Sequence, residues 1–185
     1  MEKPSWRLWL KSKEECRKWN KAYLKKGILR KNTLRPKDHL DKAIHNLDFG
    51  NWVYDKHKRG EIKDFFGKQR FFDWVLVIYY YAVYHAALAL IASEGFSSKS
   101  HLATLNVLIL RFYHEDKIGK EDVEIVAEVM PRHLERDDIE VMTETKELRE
   151  RASYGASYDF EESLVKKAKK DVVKFIEKSR NMIGI

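Results

Sequence analysis

The sequence predicts an all-α protein: an up-and-down antiparallel helical bundle of four to five core helices, with an N-terminal helical extension. Three observations lead there. Apolar residues recur at steps of three and four along most of the chain, the period of a helix face. Turn formers are scarce, with 3 Pro and 8 Gly in 185 residues, too few for a β-sandwich. The stretches joining the apolar runs are short, which makes successive helices antiparallel neighbours. Hydrophobic residues at 44% and aromatics at 12% supply a core and exclude wholesale disorder. A single cysteine, Cys16, excludes an internal disulfide or a cysteine metal cage and fits a reducing compartment. The opening residues show no apolar signal region, so a cytoplasmic protein is expected.

Residues 1–37 are expected to form a basic, Trp-rich helical extension, and residues 38–182 the bundle. In the extension, Trp6, Trp9, Leu10, Cys16, Trp19, Tyr23, Leu24 and Ile28 make one apolar stripe among lysines. Lys25-Lys26-Gly27 is a C-terminal stop, with cations at the negative end of the helix dipole and a glycine for the left-handed cap. Pro36 suits the first turn of a helix carrying Leu40, Ala43, Ile44, Leu47, Trp52 and Val53, expected over 40–57.

From Phe71 to Ala92 the chain is almost wholly apolar, long enough to raise a membrane span. Tyr79, Tyr80, Tyr81, Tyr84 and His85 sit in its middle, where lipid offers their polar groups no partner. The central helix of a water-soluble bundle, expected over 71–94, accounts for them better. Gly95 ends it. Ser97, Ser98 and Ser100 are candidate N-caps for a helix over 99–114, and 121–130 is a shorter amphipathic piece stopped by Pro131. A helix is expected over 138–151, then a turn. Asp159 with Glu162 three residues on forms a capping box for a last helix over 160–180, coated with lysines. If these helices alternate in direction, the 95–101 and 151–159 junctions share one end of the bundle. His101, Ser98, Lys99, Arg149, Arg151, Tyr154 and Asp159 then lie near one another.

Charge is segregated. Residues 1–37 hold 13 Lys/Arg against three acids, whereas 115–150 hold 6 basic and 13 acidic residues, within a formal net charge of +7. A basic stretch attracts phosphate through counterion release; it equally serves as a solvated face, or pairs with the acidic segment. No His-Glu-x-x-His, paired ligand spacing or glycine-rich phosphate loop occurs, so neither a metal nor a cofactor is expected. Cys16 has no matching His and Asn pattern for a nucleophile.

The run Tyr80-Tyr81-Ala82-Val83-Tyr84-His85-Ala86-Ala87, followed by Gly95 and Lys99-Ser100-His101, resembles the HEPN domain (higher eukaryotes and prokaryotes nucleotide-binding). Leu40-x-x-Ala43-x-x-x-Leu47 is similar to that family's opening helix, and Arg149-Glu-Arg-Ala152-Ser-Tyr154 to its Arg-x-x-Ala-Asp-Tyr motif. The resemblance covers roughly residues 38–182. It implies a homodimer joined through long helices and a role with RNA or nucleotide, in toxin–antitoxin or defence-type systems. Many members are metal-independent endoribonucleases, and many pair with a minimal nucleotidyltransferase antitoxin. Catalytic members carry a His four to six residues after the Arg; here no His follows Arg149 or Arg151 at that spacing, and the family's Asp is Ser153.

Candidate site residues follow. Arg149 would steady phosphorane charge, and His101 would stand in for the missing imidazole as proton carrier. Tyr154, whose ordinary pKa near 10 makes it a poor base, would hydrogen-bond phosphate. Arg151, Lys99 and Ser98 would add contacts to nucleic acid or nucleotide. Each has a plainer alternative: His101 as a capping or packing residue, and Arg149 and Arg151 as partners of Glu147 and Glu150. His85 is expected to be a satisfied internal histidine.

Overall fold

The computed structural model describes residues 4–31, 35–129 and 162–185. In chain order these form α1 (Trp6–Lys11), α2 (Lys13–Lys25), β1 (Leu29–Lys31), α3 (Pro36–Lys58), α4 (Lys63–Phe66), α5 (Phe72–Ser93), β2 (Phe96–Ser98) and α6 (His101–Leu108). A π-helical turn (Ile109–Tyr113), α7 (Lys120–Val129) and α8 (Glu162–Ile183) follow. The all-α class is as expected. The helix over 138–151, the stop at Pro131 and the cap at Asp159 fall outside the described residues.

The centre is α5, which packs against α3, α6, α7, α8 and β2. It is the one described helix long and apolar enough to cross a bilayer, with a mean hydropathy of 1.9, yet 67% of that stretch is buried inside the protein. That burial fits a water-soluble bundle. Every residue from Ala86 to Ala92 is buried. On the α3 side, Gly50 lies against the Tyr79 ring, where a Cβ would come within 2.7 Å of a ring carbon. Only glycine permits this approach, and the Tyr79 hydroxyl then donates to Asn51 Oδ1 at 2.8 Å.

Pro36 opens α3 as expected, and Lys25 closes α2 with Gly27 at φ +67° beyond it. The single N-terminal stripe is in fact two helices. Ser12 interrupts it, its hydroxyl accepting the Glu15 N–H at 3.2 Å as an N-cap. Trp9, Trp19 and Tyr23 pack together with ring centroids 5.7–6.3 Å apart. They join the same core as α5 and α6. Asn106 of α6 fastens this layer, accepting from Asn20 Nδ2 at 3.0 Å and donating to the Cys16 carbonyl at 3.0 Å.

A two-stranded antiparallel ribbon, Leu29 opposite Ser98 and Lys31 opposite Phe96, ties the end of the N-terminal layer to the turn after α5. At the far side, buried Asp122 of α7 accepts the Gly119 N–H at 2.9 Å and the Lys178 ammonium of α8. The first turn of α8 sits beside Tyr54, at the end where α3 stops and α5 begins.

Candidate functional site

His101 is the first residue of α6, behind an N-cap in which Ser100 Oγ accepts the Ala103 N–H at 3.4 Å. From there its ring reaches the middle of α5. It stacks on Tyr84 with centroids 4.0 Å apart, and the Tyr80 hydroxyl lies 3.0 Å from Nε2 and 3.1 Å from Nδ1. Tyr80 and Tyr84 are four residues apart on one helix and present parallel rings, 5° between planes. The i, i+4 spacing of these tyrosines was the sequence signal for the cluster, which their reading as hydroxyls needing partners passed over.

Burial determines the chemistry here. It pulls His101 down to about 4 and pushes both tyrosines up, so all three are neutral at neutral pH. A neutral imidazole keeps one N–H donor and one acceptor for hydrogen bonding. With a pKa of about 4 it carries no proton to hand to a leaving oxygen at neutral pH and is a weak base.

Ser98 is used locally: its hydroxyl donates to the Ser100 carbonyl at 2.9 Å and accepts the Ser100 N–H at 3.0 Å. Lys99 is exposed beside it. Arg149, Arg151 and Tyr154 fall outside the described residues. The 95–101 junction is described throughout, whereas the 151–159 junction lies outside the described residues. Glu162 starts α8 near Phe72, whereas Gly95 and β2 follow Ser93 at the other end of α5. A 22-residue helix sets roughly 30 Å between those ends. His101 folds back over part of that distance to reach Tyr80.

His85 differs from its expected satisfied state. It stacks on His39 of α3 at 5.7 Å, and its buried Nδ1 has no hydrogen-bond partner. Burial lowers its pKa, with His39 and Lys42 adding to the effect. Cys16 is buried, its thiol pushed up to about 12 by desolvation and donating to the Asn106 carbonyl at 3.4 Å. It has no nucleophilic character in this setting. Among the described residues no group of three His, Cys, Asp or Glu is placed to hold a metal.

The cations are grouped by face. On α8, Val165, Val172, Phe175 and Ile176 are buried, and Lys166, Lys167, Lys170 and Lys174 are exposed. Two of the tryptophans among the N-terminal lysines pack into the core: Trp9 is fully buried and Trp19 is 8% exposed. On α5 the exposed large hydrophobic residues are Trp74, Val77 and Tyr81, at 58%, 39% and 48% exposure, on one side of the helix.

No family model matches the chain. The chain is similar to a UPF0332 protein of Archaeoglobus fulgidus, 27% identical over 105 residues that make up 57% of this chain and 70% of that protein.

Proposed function

We propose that this chain is a HEPN-like protein that binds RNA or nucleotide as a homodimer, in a toxin–antitoxin or defence-type setting. The carrying observation is the division of α8 into a buried apolar side and an exposed side of Lys166, Lys167, Lys170 and Lys174. Clustered exposed ammonium groups on a rigid helix release counterions when they meet a phosphate backbone, whatever its sequence. The Tyr80/Tyr84/His101 cluster, neutral and stacked, supports recognition rather than proton transfer. Trp74, Val77 and Tyr81 give α5 an exposed apolar stripe suited to a second copy. The similarity to the archaeal protein is compatible with this reading and adds no activity to it.

The test is single-stranded RNA affinity measured across a salt series. Wild type should lose affinity with a log–log slope of several units. Replacing the four α8 lysines by Gln should reduce that slope by roughly 3, at about 0.7 per phosphate contact on a single strand. A flat salt response in wild type, or an unchanged slope in the variant, overturns the proposal.

A further inference from the structure

The end of the bundle away from β2 holds a cleft of about 490 Å³ between the end of α3, α4, the start of α5 and the first turn of α8. It is lined by Lys58, Lys63, Lys68 and Arg70. The acid on its wall, Glu162, is already engaged: it accepts from the Tyr54 hydroxyl at 2.9 Å and pairs with Lys166 at 2.9 Å. Among the described residues none of the four cations forms an ion pair. Four positive charges therefore converge on one concavity, with Lys58 near enough to Glu162 to help hold its carboxyl down.

The walls are built by the chain's path. Gly60 and Gly67, at φ +77° and +63°, turn the backbone on either side of the short α4, folding Lys63 and Lys68 back toward Lys58. His57 fixes the opposite lip: its Nε2 accepts the Phe71 N–H at 3.1 Å, which leaves the ring proton on Nδ1. Tyr54 and Phe72 form the floor, their rings 6.2 Å apart, and the Arg70 guanidinium stands 5.9 Å from the Phe72 centroid.

We infer that this cleft is a binding site for a compact phosphate-bearing small molecule, with Lys58, Lys63, Lys68 and Arg70 holding the phosphates. The volume lies in the range of small-ligand pockets, and convergent cations over aromatic edges suit a nucleoside diphosphate. An extended strand needs charges spaced along a track, which is what the α8 face offers; here they surround one cavity. The site rests on the nucleotide part of the proposed reading and gives it a place, and it uses none of the four α8 lysines assigned to RNA as phosphate contacts.

Calorimetry with ADP and with pyrophosphate, on the full chain, tests it. Wild type should bind at least one of them. Lys63→Gln/Lys68→Gln, both exposed and outside the core, should weaken that binding by at least about tenfold while leaving the melting temperature unchanged. Arg70→Gln should do the same. Lys170→Gln/Lys174→Gln should leave it unchanged while weakening RNA binding, which separates failure here from failure of the RNA proposal. Tighter binding of ADP than of pyrophosphate assigns the aromatic floor to the base; equal binding assigns the site to phosphate alone. No binding of either probe at millimolar concentration, or equal binding by the Lys63/Lys68 variant, overturns the inference.

Discussion

The two halves of α5 belong to one apolar run, and the protein treats them differently. From Ala86 to Ala92 every residue is buried, while between Phe72 and Tyr84 three large side chains, Trp74, Val77 and Tyr81, stay in water. The second half is mostly alanine and leucine, so neighbouring elements close over it from all sides. The first half carries aromatics on several sides, and they divide by face: Phe72, Tyr79 and Tyr80 are buried, Trp74 and Tyr81 exposed. Tyr79 points to Gly50 of α3 and Tyr80 to His101 of α6, leaving Trp74 and Tyr81 outward. Hydropathy measures how strongly a segment avoids water; which faces have a neighbouring element decides how much of it one copy of the chain covers.

Substitutions can break that contrast. The largest effect should come from the enclosed half: Leu90→Ala removes a fully buried side chain and should cost about 2–5 kcal/mol in denaturant unfolding. Gly50→Ala, which forces a methyl against the Tyr79 ring, should cost about 1–3 kcal/mol; a neutral result would mean that α3 and α5 are less closely apposed than described. Trp74→Ala should change stability measured at concentrations too low for association by no more than about 0.5 kcal/mol.

Acid sharpens the comparison at the boundary between the halves. His101 titrates near 6.5 when unfolded and at about 4 when folded, so below 6.5 the unfolded chain takes up the proton first. Its contribution to stability is complete above pH 6.5 and is lost as pH falls toward 4. The loss should be of order 1–2 kcal/mol after allowance for its partial exposure. The groups facing it, Tyr80 and Tyr84, stay neutral throughout this window. Burial also lowers His39, His57 and His85, which adds in the same direction. His101→Phe, which keeps the stack on Tyr84, should flatten part of the slope; a variant as acid-sensitive as wild type would remove His101 as its source.

Much of this was legible in the sequence, for reasons that can be stated residue by residue. The central helix was expected over 71–94 and found as Phe72–Ser93, because a continuous apolar run closed by Gly95 leaves little choice. Pro36 and Gly27 marked their boundaries through backbone geometry alone. The break at Ser12 was missed although Ser12 with Glu15 carries the spacing of a cap, since the stripe of tryptophans runs through it. The ribbon of Leu29–Lys31 with Phe96–Ser98 was missed because three-residue strands far apart in the chain show no alternation. The basic cleft was invisible for a related reason: its cations read as a scatter from 58 to 70 until Gly60 and Gly67 bend them together. Of the candidate site, the sequence placed His101 at the start of its helix, with Ser100 among the candidate caps. Its neutral state came only from the burial that Tyr80 and Tyr84 impose.

We propose that the exposed stripe of Trp74, Val77 and Tyr81 on α5 is kept for a second copy of the chain. Sedimentation equilibrium of the full chain in detergent-free buffer tests it most directly. The expected mass is twice the 22.0 kDa of one chain, returning to 22.0 kDa in Trp74→Lys/Tyr81→Lys without loss of helix content. A wild-type mass of 22.0 kDa at every concentration, or a dimer untouched by those two lysines, would contradict it.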